Sequence, residues 1–68
     1  MMRVIVNGVS FYTTESRVKN GVGSSVSVNA AVRVAYELLG KSTGIGTRVP
    51  VYDHQMVKQY FDVQIDRL

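Results

Sequence analysis

The sequence contains no cysteine, one histidine and one proline among its 68 residues. The absence of cysteine excludes disulfide bonds, thiolate zinc sites and cysteine nucleophiles, and it gives no indication of an oxidising compartment. A single histidine argues against a dedicated metal cage. We therefore expect neither a metal nor a cofactor. Because so short a chain buries only about 60% of its unfolded surface, its stability must come from a good core, a partner or self-association.

Long apolar runs are also missing. No segment approaches the length of a membrane span, and the N-terminus lacks the apolar core of a signal peptide. The hydrophobic fraction of 46% is ordinary for a globular domain. We therefore expect a complete small protein that forms a single domain over residues 1–68, lies in the cytoplasm and has no membrane partner.

The net charge of +3 is unevenly distributed. Five of the eight basic residues lie in residues 16–50, against a single acidic residue, Glu37. The tail, residues 51–68, holds three aspartates and two basic residues. The basic excess therefore lies in the segments around the central part of the chain, which is predicted below to be helical.

A β-hairpin is predicted at the start of the chain. Asn7-Gly8 stands between two β-rich runs, and this dipeptide favours a type I′ turn because both central residues need positive φ. The turn pairs Val6 with Val9 and Arg3 with Tyr12. One face then carries Val4, Val6, Val9 and Phe11, and the other carries Arg3, Ile5, Ser10 and Tyr12.

The next segment is polar. Residues 13–20 are expected to extend the second strand or to begin a loop, and residues 20–25 form a glycine-serine loop by composition. Asn20-Gly21 is a weaker candidate for a second hairpin turn.

A helix is predicted from Ser27 to Leu39. Ser27 is the expected N-cap, Gly40 stands at the C′ position, and Arg33 and Glu37 form an i,i+4 pair on the polar side. Apolar residues recur at helical spacing along the other side. They are Val28, Ala31, Val32, Ala35, Leu38 and Leu39.

Two further strands are predicted in the second half. Residues 48–52 form a short strand, and Pro50 confines it to a sheet edge because it lacks an N–H donor. From about Lys58, apolar and polar residues alternate, which favours a strand. The alternative is a helix capped by Asp53, but it would place Val63 on the polar side.

These elements predict an α+β fold of two layers. An antiparallel sheet of three or four strands carries one helix on its apolar face, in the order β-β-α-β-β. The predicted core consists of Val4, Val6, Val9, Phe11, Val28, Ala31, Val32, Ala35, Leu38, Leu39, Phe61, Val63 and Ile65.

Catalytic motifs are weak in this sequence. Residues 40–43 (Gly-Lys-Ser-Thr) resemble the end of a phosphate-binding P-loop, but Ala35 stands where that motif needs glycine, and the helix precedes the loop. Asp53-His54 could suggest a general base or a metal ligand, but the sequence provides no catalytic triad, no paired catalytic carboxylates and no metal-ligand spacing to accompany it. We expect Asp53 to be a turn residue, His54 to be exposed, and the protein not to be an enzyme.

The tyrosines give the main functional hypothesis. Tyr12 lies beside Arg3 and Ile5 on the hairpin face away from the predicted core, and Tyr60 points outward in the strand interpretation. Tyrosine and arginine are typical of protein interfaces. The chain is therefore predicted to be a non-enzymatic interaction protein that docks on a larger protein through these four residues, as an inhibitor or adaptor of the phage or bacterial accessory type. The alternative for these residues is that they only border the core or face solvent.

Two other functions stay open. A homo-oligomer would hold a nucleotide-like anion at a subunit junction, because a glycine-serine loop leads to a helix N-terminus beside basic residues. The third hypothesis is a single-stranded nucleic-acid binder, disfavoured because Asp62 and Asp66 would repel phosphates from the outer face. The residues of the anion site would be Arg17, Lys19, Ser24, Ser25, Lys41, Thr43 and Arg48.

Overall fold

A four-stranded antiparallel sheet forms one layer of the fold, and helices form the other. The computed structural model describes residues 1–21, 26–40 and 44–68. The sheet order is β2-β1-β4-β3, and each neighbouring pair is antiparallel. The predicted two-layer α+β fold is therefore confirmed, with one additional short helix. The elements are β1 (Met2–Val6), β2 (Val9–Thr13), α1 (Glu15–Asn20), α2 (Val26–Leu39), β3 (Gly46–Tyr52) and β4 (Lys58–Arg67).

The N-terminal hairpin has the predicted register. Val6 pairs with Val9 and Arg3 with Tyr12, and the turn residues Asn7 and Gly8 have φ of 49° and 84°. Asn7 also binds β4, because its N–H donates to the carbonyl of Asp62 and its Oδ1 accepts from the Asp62 N–H, both at 2.8 Å. The turn is thus held against the centre of the sheet.

The segment after β2 differs from the prediction. It forms the helix α1 rather than more strand or loop, and Thr14 caps it by accepting a hydrogen bond from the Arg17 N–H at 3.4 Å. Gly21 ends α1 with φ of 88°, so no second hairpin turn forms at Asn20-Gly21. Val18 is the buried residue of this helix. One apolar residue in a polar run gives no periodicity, which is why the helix escaped prediction.

The helix α2 is one residue longer than predicted. It begins at Val26, so Ser27 lies inside the helix and is not its N-cap. Gly40 has φ of 59° and donates its N–H to the Tyr36 carbonyl at 2.9 Å, which confirms its place at the helix end. The predicted pair of Arg33 and Glu37 is wrong, because the ion pairs of the described residues do not include it.

The C-terminal half is a β-hairpin. β3 begins two residues earlier than predicted and lies at the sheet edge, as Pro50 requires, and β4 confirms the strand interpretation over the helical one. Asp53 holds the connecting turn, since its Oδ1 accepts hydrogen bonds from the N–H groups of Gln55 and Val57, both at 2.9 Å. His54 is exposed, as expected.

The core lies between the sheet and the helices. Most of the predicted core is buried or partly buried, but Val9 is 68% exposed and Leu38 is 65% exposed, so these two predictions are wrong. α2 packs mainly against β3 and β4 and leaves Val9, on the far edge strand, poorly covered. Met2, Val18 and Val49 are buried and were not predicted. No helix in the described ranges has the length and apolar character needed to cross a membrane.

Candidate protein-binding surface

One side of the sheet faces away from both helices, and we call it the open face. Side chains alternate along each strand, so the registers assign its residues directly. Both helices pack on the opposite side, where the buried cluster lies. Its residues are Arg3, Ile5, Ser10, Tyr12, Gly46, Arg48, Pro50, Tyr52, Lys58, Tyr60, Asp62, Gln64 and Asp66.

An ion pair lies at one end of the open face. Arg3 on β1 donates from Nε (3.0 Å) and Nη2 (2.6 Å) to Oδ2 of Asp66 on β4. Gln64 Nε2 donates to the Oδ1 of the same carboxylate at 3.1 Å. Asp66 is only 6% exposed although it belongs to the open face. These hydrogen bonds, the one from Arg3 first, lower the pKa of Asp66, and the Asp66 bond raises the pKa of Arg3.

Three of the predicted binding residues, including Arg3 of this pair, lie together on β1 and β2. Arg3 and Ile5 lie on β1, and Tyr12 lies opposite Arg3 on β2 with 61% of its surface exposed. Their position on the outer face was predicted correctly. Their role in binding stays a prediction.

The fourth predicted residue, Tyr60, lies on the same face but at its other end. β1 pairs with β4 only between Val63 and Arg67, so Tyr60 is beyond the end of β1 and pairs with Pro50 of β3. Residues 49–61 thus form a two-stranded extension that we call the arm. It contributes to the elongated shape of the molecule, which measures 36 × 20 × 20 Å.

The arm adds residues that the sequence prediction left out. Tyr52 and Tyr60 are both more than half exposed, and Lys58 Nζ lies 5.2 Å from the centre of the Tyr60 ring. Hydrogen bonding to the Tyr60 side chain raises the pKa of Lys58. Tyr52 and Lys58 face each other in the register of β3 and β4. That register depends on the turn at Asp53, which has no strong dipeptide signal comparable to Asn-Gly.

A shallow depression of about 270 Å³ lies in the middle of the open face. Space is left there because Gly46, which pairs with Gln64, has no side chain to fill it. Ile5 forms an apolar wall, and the pair of Arg48 and Asp62 forms a polar one, with 3.1 Å between Arg48 Nε and Asp62 Oδ1. The depression is large enough to accept one side chain from a partner.

The described residues of the predicted anion site do not converge. Arg17 and Lys19 lie on α1, in the helical layer, whereas Arg48 lies on the open face and binds Asp62. The anion site stays a prediction because its other members fall outside the described residues. These are Ser24, Ser25, Lys41 and Thr43.

The titratable side chains of the described ranges form no metal-binding cluster. Within residues 1–21, 26–40 and 44–68, no three histidine, aspartate or glutamate side chains are grouped to hold a metal ion. The Asp53 carboxylate is engaged by its own turn.

Comparisons with known proteins identify no relative of this chain. No family model matches the chain, and no curated protein or solved structure matches it either. The function therefore has to be inferred from the geometry of the surface.

Proposed function

We propose that this chain is a non-enzymatic interaction protein that docks its open face on a larger protein, which it inhibits or links to another component. The observation that supports this most directly is a four-stranded sheet with helices on only one side in the described part of the chain. Three tyrosines on the uncovered side are more than half exposed. They are Tyr12, Tyr52 and Tyr60.

The chemistry of the open face suits a protein partner. A tyrosine ring offers a large contact area with few rotatable bonds, and its hydroxyl still forms a hydrogen bond, so tyrosine is enriched among residues that dominate binding energy. The aspartates of this face are already paired with Arg3 and Arg48. A partner can therefore cover much of the face without leaving an isolated charge.

The same charges do not favour a nucleic acid. Of the three basic residues on the open face, only Lys58 has no carboxylate partner within the described ranges. Affinity for nucleic acids depends mainly on neutralising several phosphates. A surface with so little unpaired positive charge supports a protein partner better.

The partner surface can be described by its chemistry. It should offer hydrogen-bond acceptors to the tyrosine hydroxyls and a carboxylate to Lys58. It should also project one side chain toward the depression beside Ile5 and Gly46. The spacing between Tyr12 and the arm requires a broad partner surface rather than a short peptide.

The test compares capture by the full chain and by two variants. The double variant Tyr12→Ser with Tyr60→Ser should lose the captured partner, whereas Lys19→Ala, on the exposed side of α1, should retain it. Calorimetry with the purified partner should show at least a ~30-fold loss of affinity for the double variant, since a dominant interface residue contributes about 2 kcal/mol or more. Equal affinities would contradict the proposal.

A further inference from the structure

A second exposed apolar surface lies on α2, in the layer opposite the open face. It consists of four residues spaced four apart, Val26, Ala30, Val34 and Leu38, which we call the α2 ridge. Val26 and Leu38 are largely exposed and Val34 is 40% exposed. Rows of side chains with this spacing are the ridges that interdigitate when two helices pack in the commonest crossing geometry.

Two opposite charges lie along one side of the α2 ridge. Arg33 and Glu37 line a small depression together with Ala30 and Val34. Neither Arg33 nor Glu37 forms an ion pair with any residue of the described ranges. Both charges are therefore available to another molecule.

The α2 ridge is complementary to itself. If a second copy packs on it in the antiparallel direction about a two-fold axis level with Ala35, Arg33 of each copy faces Glu37 of the other. Leu38 of each copy then lies level with the gap between Ala30 and Val34 of the other. A parallel arrangement would put the charges of the two copies on opposite sides of the contact. The charge pattern therefore selects the antiparallel one.

We propose that two copies of this chain associate through their α2 ridges as an antiparallel two-fold dimer. A two-fold interface uses the same patch on both copies, as this pattern requires. The ridge is narrow, so the dimer should be weak, with a Kd of roughly 10–100 μM. Because the α2 ridge and the open face belong to opposite layers, the dimer presents two open faces outward.

The first test is sedimentation of the full chain from about 5 μM to about 1 mM, a range that brackets the expected Kd. The protein should change from monomer to dimer across this range. Leu38→Asp should abolish the change, and Val57→Asp, at an exposed apolar position in the arm, should leave it intact. Circular dichroism should show that both variants stay folded. A monomer at all concentrations, or a dimer that Leu38→Asp leaves intact, would overturn the proposal.

The second test reverses the charges. Arg33→Glu and Glu37→Arg should each weaken self-association at least about tenfold, because like charges then face each other. Mixing the two variants should restore dimerisation, since each copy then meets the opposite charge of the other. Failure of the mixture to associate would overturn the antiparallel pairing.

A third comparison separates this dimer from docking through the open face. The Tyr12→Ser, Tyr60→Ser double variant should dimerise like the natural chain. If it does not, self-association uses the open face, and the α2 ridge is not the interface.

Discussion

Arg3 and Asp66 face each other across β1 and β4, and the Arg3 guanidinium binds a carboxylate that is almost completely shielded from water. Arg48 and Asp62 form the same kind of pair on the same face, but their side chains are 68% and 65% exposed. The two pairs share their chemistry and differ in burial. They therefore offer a direct comparison of what burial does to an ion pair.

The Arg3→Ala variant should be clearly less stable than Arg48→Ala. Among the described residues, loss of Arg3 leaves a shielded carboxylate with only Gln64 as a hydrogen-bond donor from a side chain, whereas loss of Arg48 leaves Asp62 in water. We expect the urea midpoint to fall several times further for Arg3→Ala. Equal shifts of the two midpoints would show that the shielding of Asp66 does not affect the stability of the fold.

Stability should decline in acid partly through Asp66. The Arg3 hydrogen bond lowers the pKa of this carboxyl in the folded state. A carboxyl with a depressed folded-state pKa stabilises the fold above its unfolded pKa, and this contribution is lost as the pH falls through the folded-state value. The natural chain should therefore lose stability below about pH 4, and Asp66→Asn should show a shallower decline. Urea unfolding at stepped pH measures both slopes, and parallel curves would contradict the assignment.

A second carboxyl, Glu15, should behave in the same way. Its hydrogen bonds with Arg67 and Tyr36 lower its pKa, so the sign of its contribution matches that of Asp66. Glu15→Gln should therefore also reduce the acid dependence, and the two substitutions together should reduce it further than either alone.

Gly21 should tolerate no side chain. It has φ of 88°, and an added Cβ would lie 2.9 Å from the Asn29 carbonyl oxygen. Gly21→Ala should lower the free energy of unfolding by about 2–3 kcal/mol. The matched control is Gly8→Ala, because Gly8 has φ of 84° but nothing within 4 Å of the added carbon. We expect about 1 kcal/mol there, measured by urea denaturation, and a Gly21 effect no larger than the Gly8 effect would argue against the close approach.

Val18 should contribute to stability despite the shortness of α1. Its side chain is fully buried, so Val18→Ala removes two buried methyl groups and should cost about 2 kcal/mol. Val9→Ala changes the same side chain at an exposed strand position and should cost less than about 1 kcal/mol. Thermal or urea unfolding distinguishes them. Similar losses would mean that α1 is not docked on the core.

Local patterns explain which parts of the fold were predictable. Asn7-Gly8 fixed the register of the first hairpin within ten residues, and the alternation after Lys58 identified β4. The helix α1 was missed because Val18 is its only apolar residue. Whether Val9 and Leu38 are buried depends on where α2 packs across the sheet. That position is set by tertiary contacts, which local sequence patterns do not encode.

The candidate site likewise has one part that could be predicted from the sequence and one part that could not. Arg3, Ile5 and Tyr12 could be grouped because a single turn sets their register. The Arg3–Asp66 pair and the distance between Tyr12 and Tyr60 depend on how β1 aligns with β4. That alignment joins the two ends of the chain, and no short-range signal encodes it.

The pairing of β1 with β4 also has a kinetic consequence. Each of the two hairpins forms between neighbours in sequence, but the seam between β1 and β4 closes a loop that contains nearly the whole chain. The entropy lost on closure grows with loop length, and folding slows as contacts become more distant in sequence. We therefore expect the rate of folding to be set by the search for the single register in which Val4 meets Ile65.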